Sequence, residues 1–267
     1  MNLLTLQQEI AREISQSGAN VSVLAQNLQD AAPFISIAPD KRMAAAEMIQ
    51  LLILVAALRK VQQNRLTLDT KMLVQQSDIL EDTEVFLFGE RAYTVQELLA
   101  WMMIKGENTA ANVLIDAIGL TAINAETERL QLSNTILMCK TSDMEALAAG
   151  RNNYTCSADL YKICSALYAN TLLPQPLSQL ALAMMRAQRN SNLFKRYIWQ
   201  NLPITHKTGQ QTYLSHDAGV FEIPNHFYFL SVLISNAPDV SGDMQLCGRI
   251  AKLIFDYQKE ARASANK

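Results

Sequence analysis

Ile204-Thr205-His206-Lys207-Thr208-Gly209, followed after the polar run 210–215 by His216-Asp217-Ala218-Gly219-Val220, is the stretch on which the fold turns. The apolar and β-branched residues predict a strand at 204–207, a turn at 210–215, a second strand at 218–223 and a third at 227–234. A closing helix is expected over 242–259. At the other end of the chain, Leu3, Leu6, Ile10 and Ile14 recur at helical spacing and stop near Gly18. Val21, Val23 and Leu24, then Phe34, Ile35 and Ile37, read as two short strands joined by a polar turn around residues 27–30. Between these ends lies a helical middle, with helices expected at 44–63, 95–105, 109–118, 120–130 and 177–189. Residues 149–153 read as a loop, and Ser157 as a helix cap. Two strands at the start and three at the end imply an α+β fold, one antiparallel sheet built from both termini and flanked by helices. The expected division is an α/β lobe from about 1–42 and 190–267, with an all-helical lobe at about 43–189.

The chain has 267 residues, 49% hydrophobic and 18% charged, enough for a substantial core. Its 23 basic residues are dispersed and its net charge is -2, which argues against nucleic-acid binding. The adjacent basic pairs, Lys41-Arg42, Arg59-Lys60 and Lys195-Arg196, read as solvated positions. Residues 43–58 form the strongest apolar run, but Glu47 and Gln50 interrupt it. It is too short and polar for a membrane span and suits a buried helix. Residues 1–14 are amphipathic rather than a signal peptide, so the sequence as written is expected in the cytoplasm. Cys139, Cys156, Cys164 and Cys247 follow no zinc spacing and read as buried free thiols. His206, His216 and His226 match no metal motif. Together with Asp217, the first two are expected at the polar edges of strands. No metal or cofactor is implied. Met102, Met103, Met184 and Met185 read as core.

Lys207-Thr208-Gly209 acquires meaning from a second segment, Lys105-Gly106-Glu107-Asn108-Thr109-Ala110-Ala111-Asn112. Together, and in this order, the two resemble the class A β-lactamases and penicillin-binding serine hydrolases, whose motif set is Ser-x-x-Lys, Ser-Asp-Asn and Lys-Thr-Gly. Gly150-Arg151-Asn152-Asn153-Tyr154-Thr155 also resembles a run in related serine hydrolases. The resemblance covers about residues 3–260 and places the first motif on the buried helix. Counting back from Leu66-Thr67-Leu68-Asp69 puts Glu47 where the serine belongs and Gln50 where the lysine belongs. Shifts of one or two residues bring up Ala45, Ala46 or Met48, none of them a nucleophile. The spacing Ser-x-x-Lys occurs only at Ser264–Lys267, the last four residues of the chain. Gly106 and Glu107 replace the serine and aspartate of the second motif, and only Asn108 is kept.

Acyl transfer needs an activated hydroxyl, a base and an oxyanion hole. With Glu47, Gln50 and Gly106 in place, no catalytic residue is expected, and a vestigial pocket remains: Glu47, Gln50, Gly106, Glu107, Asn108, Lys207, Thr208, Gly209 and Gln210. In the short loop 141–146, Asp143 and Glu145 are the candidates to face it. Glu47 is expected in the first helical turn, where the dipole favours an anion. The resemblance directs Lys207 toward it as an ion-pair partner. For Lys207-Thr208-Gly209 a plain strand-and-turn role stands beside a retained ligand pocket. For Asn108 a helix cap or an inter-lobe hydrogen bond is favoured. The leading expectation is a pseudoenzyme keeping the scaffold to bind an unknown small molecule or protein. The alternative is a hydrolase using Glu47 as nucleophile or base, with its pKa raised by burial. A conventional β-lactamase comes last.

Overall fold

The computed structural model describes residues 1–190, 192–224, 226–238 and 240–265. Helix α1 (Leu3–Ser17) starts on the Asn2 side chain, which accepts from Thr5 N, and stops at Gly18 in the left-handed region. Strands β1 (Asn20–Asn27), β2 (Ile35–Ile37) and β3 (Met43–Ala44) follow. A 3-10 turn, Ala46–Ile49, leads into α2 (Gln50–Gln62). Next come β4 (Lys71–Val74), β5 (Arg91–Thr94), α3 (Val95–Lys105), α4 (Asn108–Ile118), α5 (Leu120–Arg129) and α6 (Met144–Ala148). After β6 (Tyr154–Thr155), α7 (Ser157–Tyr168) and α8 (Gln175–Arg186), the chain closes with β7 (Ile204–Gln211), β8 (Leu214–Ile223), β9 (His226–Ser235) and α9 (Val240–Ala265).

The main sheet is antiparallel throughout, in the order β2-β1-β9-β8-β7. The strand of the N-terminus therefore pairs with the last strand of the chain, from Asn20 opposite Ser235 to Asn27 opposite Tyr228. Side chains alternate between the two faces. Tyr228, Leu230, Val232 and Ile234 join Leu6 and Ile10 of α1 and Leu246, Ile250 and Ile254 of α9 on one side. Phe229 and Leu233 face the helical layer. At the centre of that layer α2 is buried without interruption from Gln50 to Leu58. A helix apolar on every side is stable only where it is surrounded, which is where this one lies.

The α+β architecture is the expected one, with local corrections. The first of the three C-terminal strands runs four residues beyond 207, so the whole Lys207-Thr208-Gly209 tripeptide lies on β7. The turn to β8 shrinks to residues 212–213. The buried helix begins at Gln50, because residues 43–44 form a short ladder with β6 and 46–49 wind more tightly. The pairs β3–β6 and β4–β5 are unanticipated. Ser157 is the first helical residue rather than the cap, which is Cys156. Its hydroxyl instead bonds those of Ser22 (2.7 Å) and Ser231 (3.0 Å), tying α7 to β1 and β9. The four cysteines are buried free thiols, and the four named methionines are buried. No described helix is long and apolar enough to cross a membrane.

Candidate active site

Gly209 sets the site's geometry. A Cβ built there would lie 3.1 Å from Glu47 N and 3.2 Å from Met48 N, so β7 abuts the turn that precedes α2. This approach aims the next amide, Gln210 N–H, at Glu47 Oε2, to which it donates at 2.8 Å. The carboxylate is also held by its own backbone amide. Burial raises its pKa, opposed first by the nearby Lys207 charge and then by these two amides, while Asp82 adds to the rise.

Lys207 is wholly buried. Its ammonium donates to Thr208 O at 2.7 Å, and burial pulls its pKa down to about 8 against the attraction of Glu47 and Asp217. The expected contact pair is not formed. Among the described ion pairs, drawn at 4.0 Å or less, none joins Glu47 and Lys207. The two groups attract each other through space, and each finds its hydrogen bonds on backbone.

Gly106 sits beside both. Its φ of 80° closes α3, and a Cβ there would lie 3.7 Å from Lys207 Nζ and 3.8 Å from Glu47 Cγ. Glu107 is engaged elsewhere, accepting from Thr83 Oγ1 (2.9 Å), Glu84 N (2.9 Å) and Val85 N (3.1 Å). Gln50 Nε2 donates to Gly106 O (3.1 Å) and Asn108 Oδ1 (3.2 Å). Asn108 Nδ2 donates in turn to Ser142 Oγ at 3.3 Å, so Asn108 bridges α2 to the 141–143 loop inside the expected helical lobe; it is the first residue of α4 rather than its cap, and these bonds do not join the two expected lobes. Gln50 Oε1 is buried with no partner among the described residues.

These groups border a narrow cleft of about 20 Å³, lined in part by Glu47, Asn108, Cys139, Ser142 and Asp143. That is room for roughly one water molecule. Of the two acidic loop candidates, Asp143 reaches the cleft and Glu145 does not, although Asp143 also caps α6 through Ala146 N. The Cys139 thiol is pushed up by burial, which leaves it protonated and a poor nucleophile. Among the described residues, no group of three or more His, Cys, Asp or Glu is placed to hold a metal.

His206, His216 and Asp217 are buried in the sheet rather than at strand edges. His206 Nδ1 lies 2.7 Å from Asp217 Oδ1, and Phe194 N donates to Asp217 Oδ2. His216 Nε2 donates to Ala44 O (2.8 Å) while Nδ1 accepts from Ile234 N (3.2 Å), bonds that require the neutral ring. Burial lowers its pKa to about 4. These are fastenings between strands. Missing from the expected site were Cys139 and Ser142. Their only sequence signal was position, Ser142 within the short loop and Cys139 just before it.

Residues 5–258 match the family described as the β-lactamase enzyme family. The chain belongs to the β-lactamase enzyme family. Solved structures agree on the fold. A β-lactamase from Sphaerobacter thermophilus superposes with a TM-score of 0.87 at 22% identity, covering 96% of this chain and 98% of that one. PBP-A, as a point mutant in an acyl-enzyme complex with penicillin G, gives 0.87 at 23% identity with 97% of both chains covered. The TLA-3 extended-spectrum β-lactamase gives 0.87 at 17% identity, covering 96% of this chain and 99% of its own. No curated protein matches the chain in sequence. At such identities the structural likeness concerns the fold.

Proposed function

We propose that this member of the β-lactamase family no longer performs serine acyl-enzyme chemistry and keeps the scaffold to bind a small molecule or a protein. The observation that carries the reading is the seat of the Glu47 carboxylate. Two backbone amides converging on one anionic group are what acyl transfer uses to hold a developing oxyanion. Here the protein's own anion holds that place, and the residue supplying it stands where the family resemblance expects the serine. Gln50, where the base is expected, is a neutral amide engaged with Gly106 and Asn108. Gly106 offers no hydroxyl.

A second reading has one observation in its favour. Glu47 lines the cleft without a contact ion pair, and burial raises its pKa, as a hydrolytic base would require. Against it, the same carboxylate is already engaged by two amides, which weakens it as base and as nucleophile.

The test is intact mass after incubation with penicillins, cephalosporins and a fluorophosphonate. An unchanged mass is expected. A stoichiometric adduct overturns the proposal, and peptide mapping then names the nucleophile. Hydrolysis without an adduct, abolished in Glu47→Gln, would establish the second reading.

A further inference from the structure

The far end of α2 carries a feature unconnected with this cleft. Arg59, one half of a basic pair expected to be solvated, is held at the bottom of a groove between α2 and α5. Its Nε and a terminal nitrogen lie 3.4 and 3.3 Å from Glu126 Oε2, and its other terminal nitrogen donates to Gln62. Arg129 Nε stands 3.4 Å from the other carboxylate oxygen. Glu126 is buried, and two guanidinium groups neutralise it more than fully.

Three alanines, Ala56, Ala122 and Ala125, leave the space between the helices unfilled, and a cleft of about 240 Å³ opens there. Lys60 and Arg65 complete its rim. Neither enters an ion pair among the described residues, and the terminal nitrogens of Arg129 carry no hydrogen bond among them. Four cations thus surround one carboxylate in a chain whose net charge is negative. Helix dipoles account for Arg59, Lys60 and Arg129, which sit in the last turns of α2 and α5. They do not account for Arg65, beyond the helix, or for the open volume that all four share.

We propose that this groove is a binding site for a phosphate group, as inorganic phosphate or as a small phosphomonoester. Guanidinium forks match the tetrahedral oxyanion, Lys60 adds a point charge, and the surplus of positive charge selects a divalent anion over chloride. The volume fits a phosphate with a short organic substituent. Arg59 is nine residues from Gln50, about 14 Å along the helix, so the site is separate from the Glu47 cleft.

The experiment uses the full chain, ¹⁵N-labelled, at ionic strength held constant with chloride. Inorganic phosphate and glycerol phosphate are titrated separately, following the amides of residues 56–65 and 122–129. Saturable shifts at millimolar concentration or below are expected, with a rise in Tm. Tighter binding of one titrant identifies the source of the phosphate. Lys60→Ala with Arg65→Ala should weaken binding tenfold or more while leaving the ligand-free chain folded, since neither side chain makes a hydrogen bond or ion pair among the described residues. If that double variant does not fold, Arg129→Lys, which keeps the charge and loses the fork, should weaken binding at least threefold. Shifts that stay linear with concentration, or affinity equal to wild type in the variant that folds, overturn the proposal.

Discussion

Gln210 N–H donates to Glu47 Oε2 at 2.8 Å, across 163 residues of sequence. The bond exists because β7 carries no side chain at Gly209, where it meets the turn leading into α2. Strand, turn and carboxylate thus form one unit, and changing any of them tests the others.

Glu47→Ser combined with Gln50→Lys and Gly106→Ser would empty the two-amide seat and restore the hydroxyl, amine and relay of the family resemblance. The triple variant should acquire a covalent penicillin adduct, up to one per chain, while the wild type stays unmodified. Mass spectrometry over hours reads the difference. A triple variant that folds but stays unmodified would mean that more than these three positions has drifted.

Lys207 supplies a pH signature. Its folded pKa, about 8, lies below the unfolded value, so between about pH 8 and 10.5 the unfolded chain holds a proton that the folded one has released. This group's contribution to stability therefore rises through that window, by about 3 kcal/mol. Lys207→Met removes the effect. Its stability relative to wild type should be most favourable below pH 8 and should decline toward pH 10.5. Urea unfolding at a series of pH values gives the difference directly, with the buried thiols and tyrosines common to both proteins. A difference that does not vary with pH would contradict the assignment.

His216 behaves in the opposite range. The unfolded ring takes up its proton near pH 6.5 and the folded one only near 4, so the contribution falls as the solution is acidified between those values. The expected loss is about 3 kcal/mol. Nitrogen-detected NMR of the imidazole should show a neutral Nε2–H ring at pH 6 with its titration midpoint near 4. A midpoint near 6.5 would mean the bonds to Ala44 and Ile234 are not made in solution.

Much of the architecture was readable because periodicity reports burial. The apolar and β-branched runs of the last strands mark them as buried, and the helical spacing in α1 names its buried face, without tertiary knowledge. The site was readable as a set of positions through Lys207-Thr208-Gly209 and Asn108. Its connections were not. The partner of Glu47 is a backbone amide, which no residue letter encodes, and the expected partner Lys207 bonds the carbonyl of Thr208 instead. His206 and Asp217 looked like edge residues because their bond crosses two strands and becomes visible only once Thr208 is set opposite Asp217. The two-residue ladder of Met43 and Ala44 is too short to leave any periodic trace.

Gly219 leaves no room for a side chain. A Cβ there would lie 2.3 Å from Thr205 O and 2.4 Å from His206 Cα. Gly219→Ala must push β7 away from β8, at a cost of about 3 kcal/mol, with His206 and Asp217 drawn apart. Denaturant unfolding, or failure to recover soluble protein, checks this. A variant within about 1 kcal/mol of wild type would show that the strands tolerate the wider spacing.

The pairing of β1 with β9 has a consequence for how the protein is made. Tyr228, the partner of Asn27, is translated about two hundred residues later, roughly 10–40 s at ordinary elongation rates. Through that interval Val21, Val23 and Ala25 have no neighbouring strand but the short β2. The emerging N-terminal hairpin is thus a natural client for whatever guards nascent chains, and the last sixty residues release it.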